Sequence, residues 1–286
     1  GTGLTLGSQT GTTIADALDV QTLDVEGTSL LDADVSSVGY QAYQGAVTLG
    51  GDRLLKGSLI SLGSTLDATT AGGQGLSVQG DLLAMDAIGA TARLSYLIVD
   101  GASTLNGGSI RTEGDQRFNG DVALGAHTEL TSEGDGVIRF GGLLDGVFDL
   151  RVTTTENGLI VFAGDVGSIA ALRDVDMSTA GSDAVRGVAD AATIVGENDL
   201  RIRVREFRMG QHEKFTTLGS IRIDATQSAV LGDMTSLSDM TVIAPSITLL
   251  LREASTLLDS ASASVADRGL DFVSGGRIDF QGAITL

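Results

Sequence analysis

The residues with the clearest chemical potential are carboxylates set in glycine-rich turns. Asp115, Asp121, Asp135, Asp145 and Asp149 fall within one stretch of short apolar runs and turns. Two carboxyls about 6.5–9.5 Å apart can hydrolyse a glycoside with inversion, one acting as acid and the other as base. Stacked turns of a repetitive fold could supply such a pair. The simpler reading is that an Asp in a turn accepts a local backbone hydrogen bond and solubilises the surface. The two histidines, His127 and His212, lie in polar surroundings and have neither a nucleophile nor a metal spacing. No G-x-S-x-G, H-E-x-x-H or phosphate-loop pattern occurs. With Cys 0, thiol catalysis, thiolate metal sites and disulfides are excluded. No residue is therefore assigned as catalytic or cofactor-binding, and the chain reads as a non-enzyme.

Ligands other than substrates are considered on the same residues. A structural calcium suits turn carboxylates and carbonyls, and Gly114-Asp115 and Glu133-Gly134-Asp135-Gly136 have that chemistry. These fragments are short, the glycine-rich nonapeptide of calcium-binding β-rolls is absent, and no ligand set is named. The basic run Arg201-Ile-Arg-Val-Arg-Glu-Phe-Arg208 stands out in an acidic chain. Alternation places Arg201, Arg203 and Arg205 on one strand face, with Ile202 and Val204 inward. That face could meet an acidic neighbouring subunit or an anionic glycan; the simpler reading is a solvated face balanced by nearby Asp and Glu. A net charge of −19 argues against nucleic acid as a partner, since phosphate binding needs a basic stripe. The longest apolar stretch, Val242 to Leu251, is interrupted and too short to span a bilayer as a helix.

Composition points to the elements that position these groups. The chain has 286 residues with Gly 40 and Pro 1. Gly supplies corners, whereas Pro would remove a ladder hydrogen bond. Aromatics are 4%, so the core must be narrow and filled by aliphatic side chains. Short strands follow one another between Gly, Asp, Asn and Ser turns, as in Gly136–Phe140, Leu159–Phe162, Leu200–Val204 and Ser220–Asp224.

A motif repeats. Gly39-Tyr-Gln41-Ala-Tyr43-Gln44-Gly45-Ala-Val47-Thr-Leu49-Gly50 matches Gly114-Asp-Gln116-Arg-Phe118-Asn119-Gly120-Asp-Val122-Ala-Leu124-Gly125. A third, partial copy carries Phe280, Gly282, Ile284 and Leu286. Period 2 points Tyr43, Val47, Leu49, Phe118, Val122 and Leu124 to one buried face. Gly45 and Gly120 are read as bends. Gln41, Gln44, Gln116 and Asn119 are read as amide-ladder or turn hydrogen-bonding residues. Strands recurring every twenty-odd residues, as from Phe140 to Phe162, fit a parallel β-helix with about three strands per coil. The reading is all-β, a single right-handed parallel β-helix over residues 1–286. At about 22 residues per coil it has roughly thirteen coils and a length of roughly 60 Å. A β-sandwich is the competing fold, but it predicts neither repeated blocks nor the absence of linkers. Ser182–Ala192 and Glu253–Ala266 are rich in Ala, Asp and Ser and could form a turn of helix or a loop bulging from the solenoid.

The segments GDQRFNGDVALGAHTEL, GVIRFGGLLDGVFDLRV and APSITLLL…DFVSGGRIDFQGAITL resemble the β-strand repeats of filamentous-haemagglutinin-like bacterial exoproteins. The resemblance covers most of residues 20–180 and 215–286. It implies a right-handed β-helix, an extracellular or cell-surface location, and a role as adhesin, matrix or fibre. Host or matrix glycans are then possible partners. A glycan-binding adhesin segment or a polysaccharide-active β-helix enzyme is the alternative function.

The two ends also read onto each other. The third motif copy stops at Leu286, where the first two continue with Gly, and residue 1 opens Gly1-Thr-Gly-Leu4-Thr-Leu6. Joined tail to head, Ile284 and Leu286 lead into Gly1, Leu4 and Leu6 and restore the motif. The expectation is a fragment, processed chain or repeating unit whose helix continues head-to-tail through copies of itself.

Overall fold

The computed structural model describes residues 3–8, 11–155, 158–179, 193–196, 200–208, 214–236, 238–249, 272–274 and 278–285. Among these, every regular element is a strand and every strand pairing is parallel. The competing sandwich is thereby excluded. The two stretches of helical composition, 182–192 and 253–266, lie outside the described residues, as do Gly1, Leu286 and His212.

The strands stack as a three-sided β-solenoid. On the first face Leu18, Val35, Leu55, Val78, Val99, Phe118, Phe140 and Phe162 follow one another up the axis. On the second face the order is Leu4, Leu23, Gln41, Ile60, Leu82, Ser103, Val122 and Leu144. The third face runs from Thr12–Ile14 through Ser29–Leu31, Val47–Leu49 and Leu66–Ala68. A bridge at Ile88 joins it to Ser109–Thr112 and to an eight-stranded sheet ending at Ile278–Thr285. The right-handed crossover rule applies to each such connection. The third face passes thirteen rungs among the described residues: four strands, the Ile88 bridge and eight further strands. Some coils have one side held only by an isolated bridge, as at Ile88 and Val166.

Alternation explains the burial. Leu23, Val25, Leu31, Val47, Leu49, Leu97, Val99, Val122 and Leu124 point inward and are buried. The interior is mainly aliphatic, and among the described residues it holds an aromatic stack. Phe118, Phe140 and Phe162 occupy the same register position on the first face. Their ring centroids are 5.6 and 5.1 Å apart, with interplanar angles of 13° and 2°. The recurrence from Phe140 to Phe162 is one coil.

The sequence motif proves to be a corner rather than a coil. Tyr43 lies on the second face and leads to Val47 on the third. Phe118 lies on the first face and leads to Val122 on the second. Phe280 lies on the third face, in register with Val242. The copies therefore sit on different sides of the solenoid and do not stack on one another. The side chains of Gly282, Ile284 and the neighbouring residues are outside the described set; Leu4 and Leu6 are half-buried against the core.

Corners are closed by backbone-on-backbone contact. Gly57, Gly80, Gly101, Gly120, Gly142 and Gly164 form a column between the first and second faces. A Cβ on Gly120 would sit 2.5 Å from the Gly101 carbonyl oxygen, and one on Gly80, at φ 149°, would sit 1.8 Å from that of Gly57. Gly45 occupies the next corner, where a Cβ would lie 2.5 Å from the carbonyl of Gly27.

The buried glutamines are corner clasps, not an amide ladder. Gln41 stacks between Leu23 and Ile60, and Gln116 between Leu97 and Ile138. Gln41 Nε2 donates to Val35 O at 3.1 Å and Lys56 O at 2.8 Å, tying two coils together. Its Oε1 accepts from the Tyr43 hydroxyl at 2.9 Å. Gln116 Nε2 likewise donates to Ile110 O, Thr112 Oγ1 and Thr131 O. Phe118 stands where the first copy has Tyr43, and Gln116 Oε1 has no donor. Asn119, by contrast, is outside and donates to Asp100 at 3.0 Å.

Two stability changes follow. Gly120→Ala should cost about 1–3 kcal/mol, since the clash is with backbone on the coil below; equilibrium denaturation of the full chain measures it. Tyr43→Phe should destabilise and Phe118→Tyr should stabilise, each by about 1 kcal/mol, because one removes and the other supplies the donor for a buried amide oxygen. Denaturation midpoints moving in the same direction for both would refute the shared-clasp account.

Candidate functional site

The carboxylates singled out by sequence are distributed over the corners and mostly bind backbone. Asp115 accepts from Val137 N and Asp121 from Leu143 N, both at 2.8 Å. Asp145 accepts from Ile169 N at 2.9 Å and Ala170 N at 3.1 Å. Asp34, Asp52, Asp67 and Asp81 do the same for Leu54, Gly75, Thr91 with Ala92, and Ala102. In each case the amide lies 20–25 residues later, one coil further on. These Asp side chains cap amides that have left the strand ladder at a corner. Asp115 precedes a first-face strand, Asp121 a second-face strand and Asp149 a third-face strand, so they do not converge.

Asp135 lies in a different place. It lines an open groove of about 580 Å³ with Tyr96, Glu113, Asp115 and the glycines Gly114, Gly134 and Gly136. The two fragments considered for calcium thus share one groove. Among the described residues, however, no three His, Asp or Glu side chains are grouped as metal ligands. Beside it, Arg93 and Arg111 engage Glu133, and Arg93 also meets Glu113 at 2.5 Å.

The densest cluster of charged groups is on the third face. His127, Glu129, Asp149, Arg151, Asp174, Asp176 and Arg201 line a groove of about 440 Å³. Four third-face strands build it: Thr128–Ser132, Leu150–Thr154, Val175–Thr179 and the start of Leu200–Arg208. Their inward residues Leu130, Val152 and Met177 are fully buried, which fixes the outward parity of the charged ones. Asp149 Oδ2 lies 2.9 Å from His127 Nδ1, and Arg173 Nε donates to Asp149 Oδ1 at 2.6 Å. A second bond from the Arg173 guanidinium reaches Asp149 Oδ2. The His127 ring stands edge-on to Phe148, with centroids 5.6 Å apart. Arg151 donates to Asp176 at 3.2 Å.

The hydrogen bonds from Arg173 hold the Asp149 carboxyl below its ordinary range. Partial desolvation opposes this shift, and the charge of His127 adds to it. Asp149 is thus kept ionised as an anchor for His127 and Arg173 rather than poised to donate a proton. A catalytic His–Asp pair would need a nucleophile in reach. The hydroxyl beside it, Thr128, is buried and donates to Ala126 O at 2.9 Å.

Arg201 is exposed on the outward strand face that alternation predicts for it. The strand Leu200–Arg208 carries Arg203 and Arg205 as well, but their side chains are outside the described residues. Arg173 and Arg151 carried no local sequence signal. They matter because coil stacking brings them beside carboxylates 24–25 residues away. No protein-family model, curated protein or solved structure matches this chain.

The Arg173–Asp149 pair stabilises the fold above the carboxyl's unfolded range, and the gain fades as acidification protonates Asp149. Arg173→Gln should raise the Asp149 midpoint toward the ordinary carboxylate range, read by carboxyl-carbon NMR titration. An unchanged midpoint would mean that Arg173 is not the controlling partner.

Proposed function

We propose that this chain is a structural shaft: a stretch of bacterial extracellular fibre, sheath or adhesin stalk without catalytic activity. One observation carries the reading. The same Asp-to-amide cap recurs from coil to coil, and each carboxylate serves the coil that follows it. Such bonding makes every coil the template for the next and spreads stability along the axis as nearest-neighbour contributions. It also uses the chain's carboxylates as cross-links between coils, a role that needs no ligand. The resemblance to filamentous-haemagglutinin-like exoproteins supports the cell-surface setting. Head-to-tail continuation through further coils or copies of the chain is part of the proposal, because parallel ladders propagate without a change of geometry.

Electron microscopy of the full chain, with a panel of acidic and neutral polysaccharides incubated alongside, tests this. The expected result is rods or filaments with an axial spacing of about 4.8 Å and no release of reducing sugar. Sugar release that is lost on Asp149→Asn or Asp135→Asn would overturn the structural reading in favour of an enzyme.

A further inference from the structure

The outward side chains of the third face form a column whose charges alternate. Glu129 is in register with Arg151, Arg151 with Asp176, and Asp176 with Arg201. Successive rungs are about 4.8 Å apart, so these four rungs read minus, plus, minus, plus along the axis; the flanking rungs are Ser109 and Arg222, which reversal brings opposite each other. This sequence of charges is its own complement when read in reverse. The neighbouring outward column carries Arg111, Thr131, Thr153 and Ser178 on successive rungs and Asp224 two rungs further on. Its centre is uncharged hydroxyls, with a cation at one end and a carboxylate at the other; within the chain Arg111 binds Glu133 and Asp224 binds Arg222.

We infer that the third face pairs with the third face of a second copy, the two solenoids running antiparallel. The two-fold axis passes between the Arg151 and Asp176 rungs. Glu129 of one copy then meets Arg201 of the other, and Arg151 meets Asp176, each contact occurring twice as a two-fold interface requires. In the adjacent column the same axis brings Arg111 opposite Asp224 and Thr153 opposite Ser178. A parallel pairing at equal height would oppose like charges on every charged rung, so the pattern also selects orientation. On the groove side, Asp149 and Asp174 face each other across the axis. Arg173 lies between these carboxylates, bound to Asp149 and 4.0 Å from Asp174, and supplies the cation there. Six rungs of four residues cover roughly 300–400 Å² per copy, about half a standard interface. The association is accordingly weak, with charge register rather than buried area choosing the partner. This inference does not depend on the shaft reading.

Sedimentation equilibrium of the full chain and its charge variants, at one near-physiological ionic strength, provides the test. The formal charge of −19 opposes association of copies when salt is low. The wild type should show a reversible dimer. Glu129→Arg and Arg201→Glu should each weaken it by about tenfold or more, and the double variant should return to within about threefold of wild type. Within one chain these residues are three rungs, about 14 Å, apart, so rescue reports contact between copies. Circular dichroism confirms that each variant keeps its strands. A wild type that stays monomeric, or a double variant as weak as the singles, would overturn the antiparallel pairing.

Discussion

The structure depends on one constraint: every backbone amide that leaves the axial ladder at a corner must find another partner. A strand interior satisfies itself, because its N–H and C=O groups pair with the coils above and below. Corners cannot do so, and this chain turns three corners in each coil. Glycine lets backbone approach backbone to the distance seen between Gly101 and Gly120. Inside, Gln41, Gln116, Thr112 and Ser132 donate to carbonyls released from the ladder. Outside, Asp carboxylates accept from amides one coil on. The abundance of Gly and Asp and the near absence of Pro are consequences of this single requirement.

That requirement also changes the meaning of the acidic composition. A carboxylate committed to an amide of the following coil has little freedom to act as an acid, a base or a metal ligand. Asp115, Asp121 and Asp145 are held in this way. Carboxylates paired with arginine occur on the first face, as Asp115 with Arg117 and Asp32 with Arg53, and several more line the groove on the third face. Chemistry and recognition separate accordingly: corners hold the fold, and the third face carries what a partner can read.

Much of the fold was legible in the residues because its two periods are simple. Alternation identified Val47, Leu49, Val122 and Leu124 as inward, and recurrence over one coil linked Phe140 with Phe162. The motif shared by Gln41–Leu49 and Gln116–Leu124 was legible as a repeat, but not as a corner used on different sides. Linear offset does not report position around an axis when coil length varies. The repeated Gln side chains admit either an amide ladder or turn hydrogen bonds, because stacked strands allow both. Their in-register neighbours are Leu and Ile, so the amides turn to the corner carbonyls instead. The site was harder to read. Arg151 and Arg173 acquire meaning only from residues one coil away, and a two-residue register change would give them different partners.

Directionality in the interior and symmetry on the surface are compatible because different groups carry them. The Asp caps all point one way along the axis, so a coil can be extended by a following coil but not by a reversed one. The column Glu129, Arg151, Asp176 and Arg201 has no such polarity; its charges match themselves on reversal. Extension along the axis is governed by backbone hydrogen bonds, which are numerous and continuous. Pairing across the third face is governed by a few solvent-exposed charges, each worth little alone. A rod built this way resists separation of its coils far more than separation from its neighbours. Lateral contacts can then break and re-form while every coil stays intact.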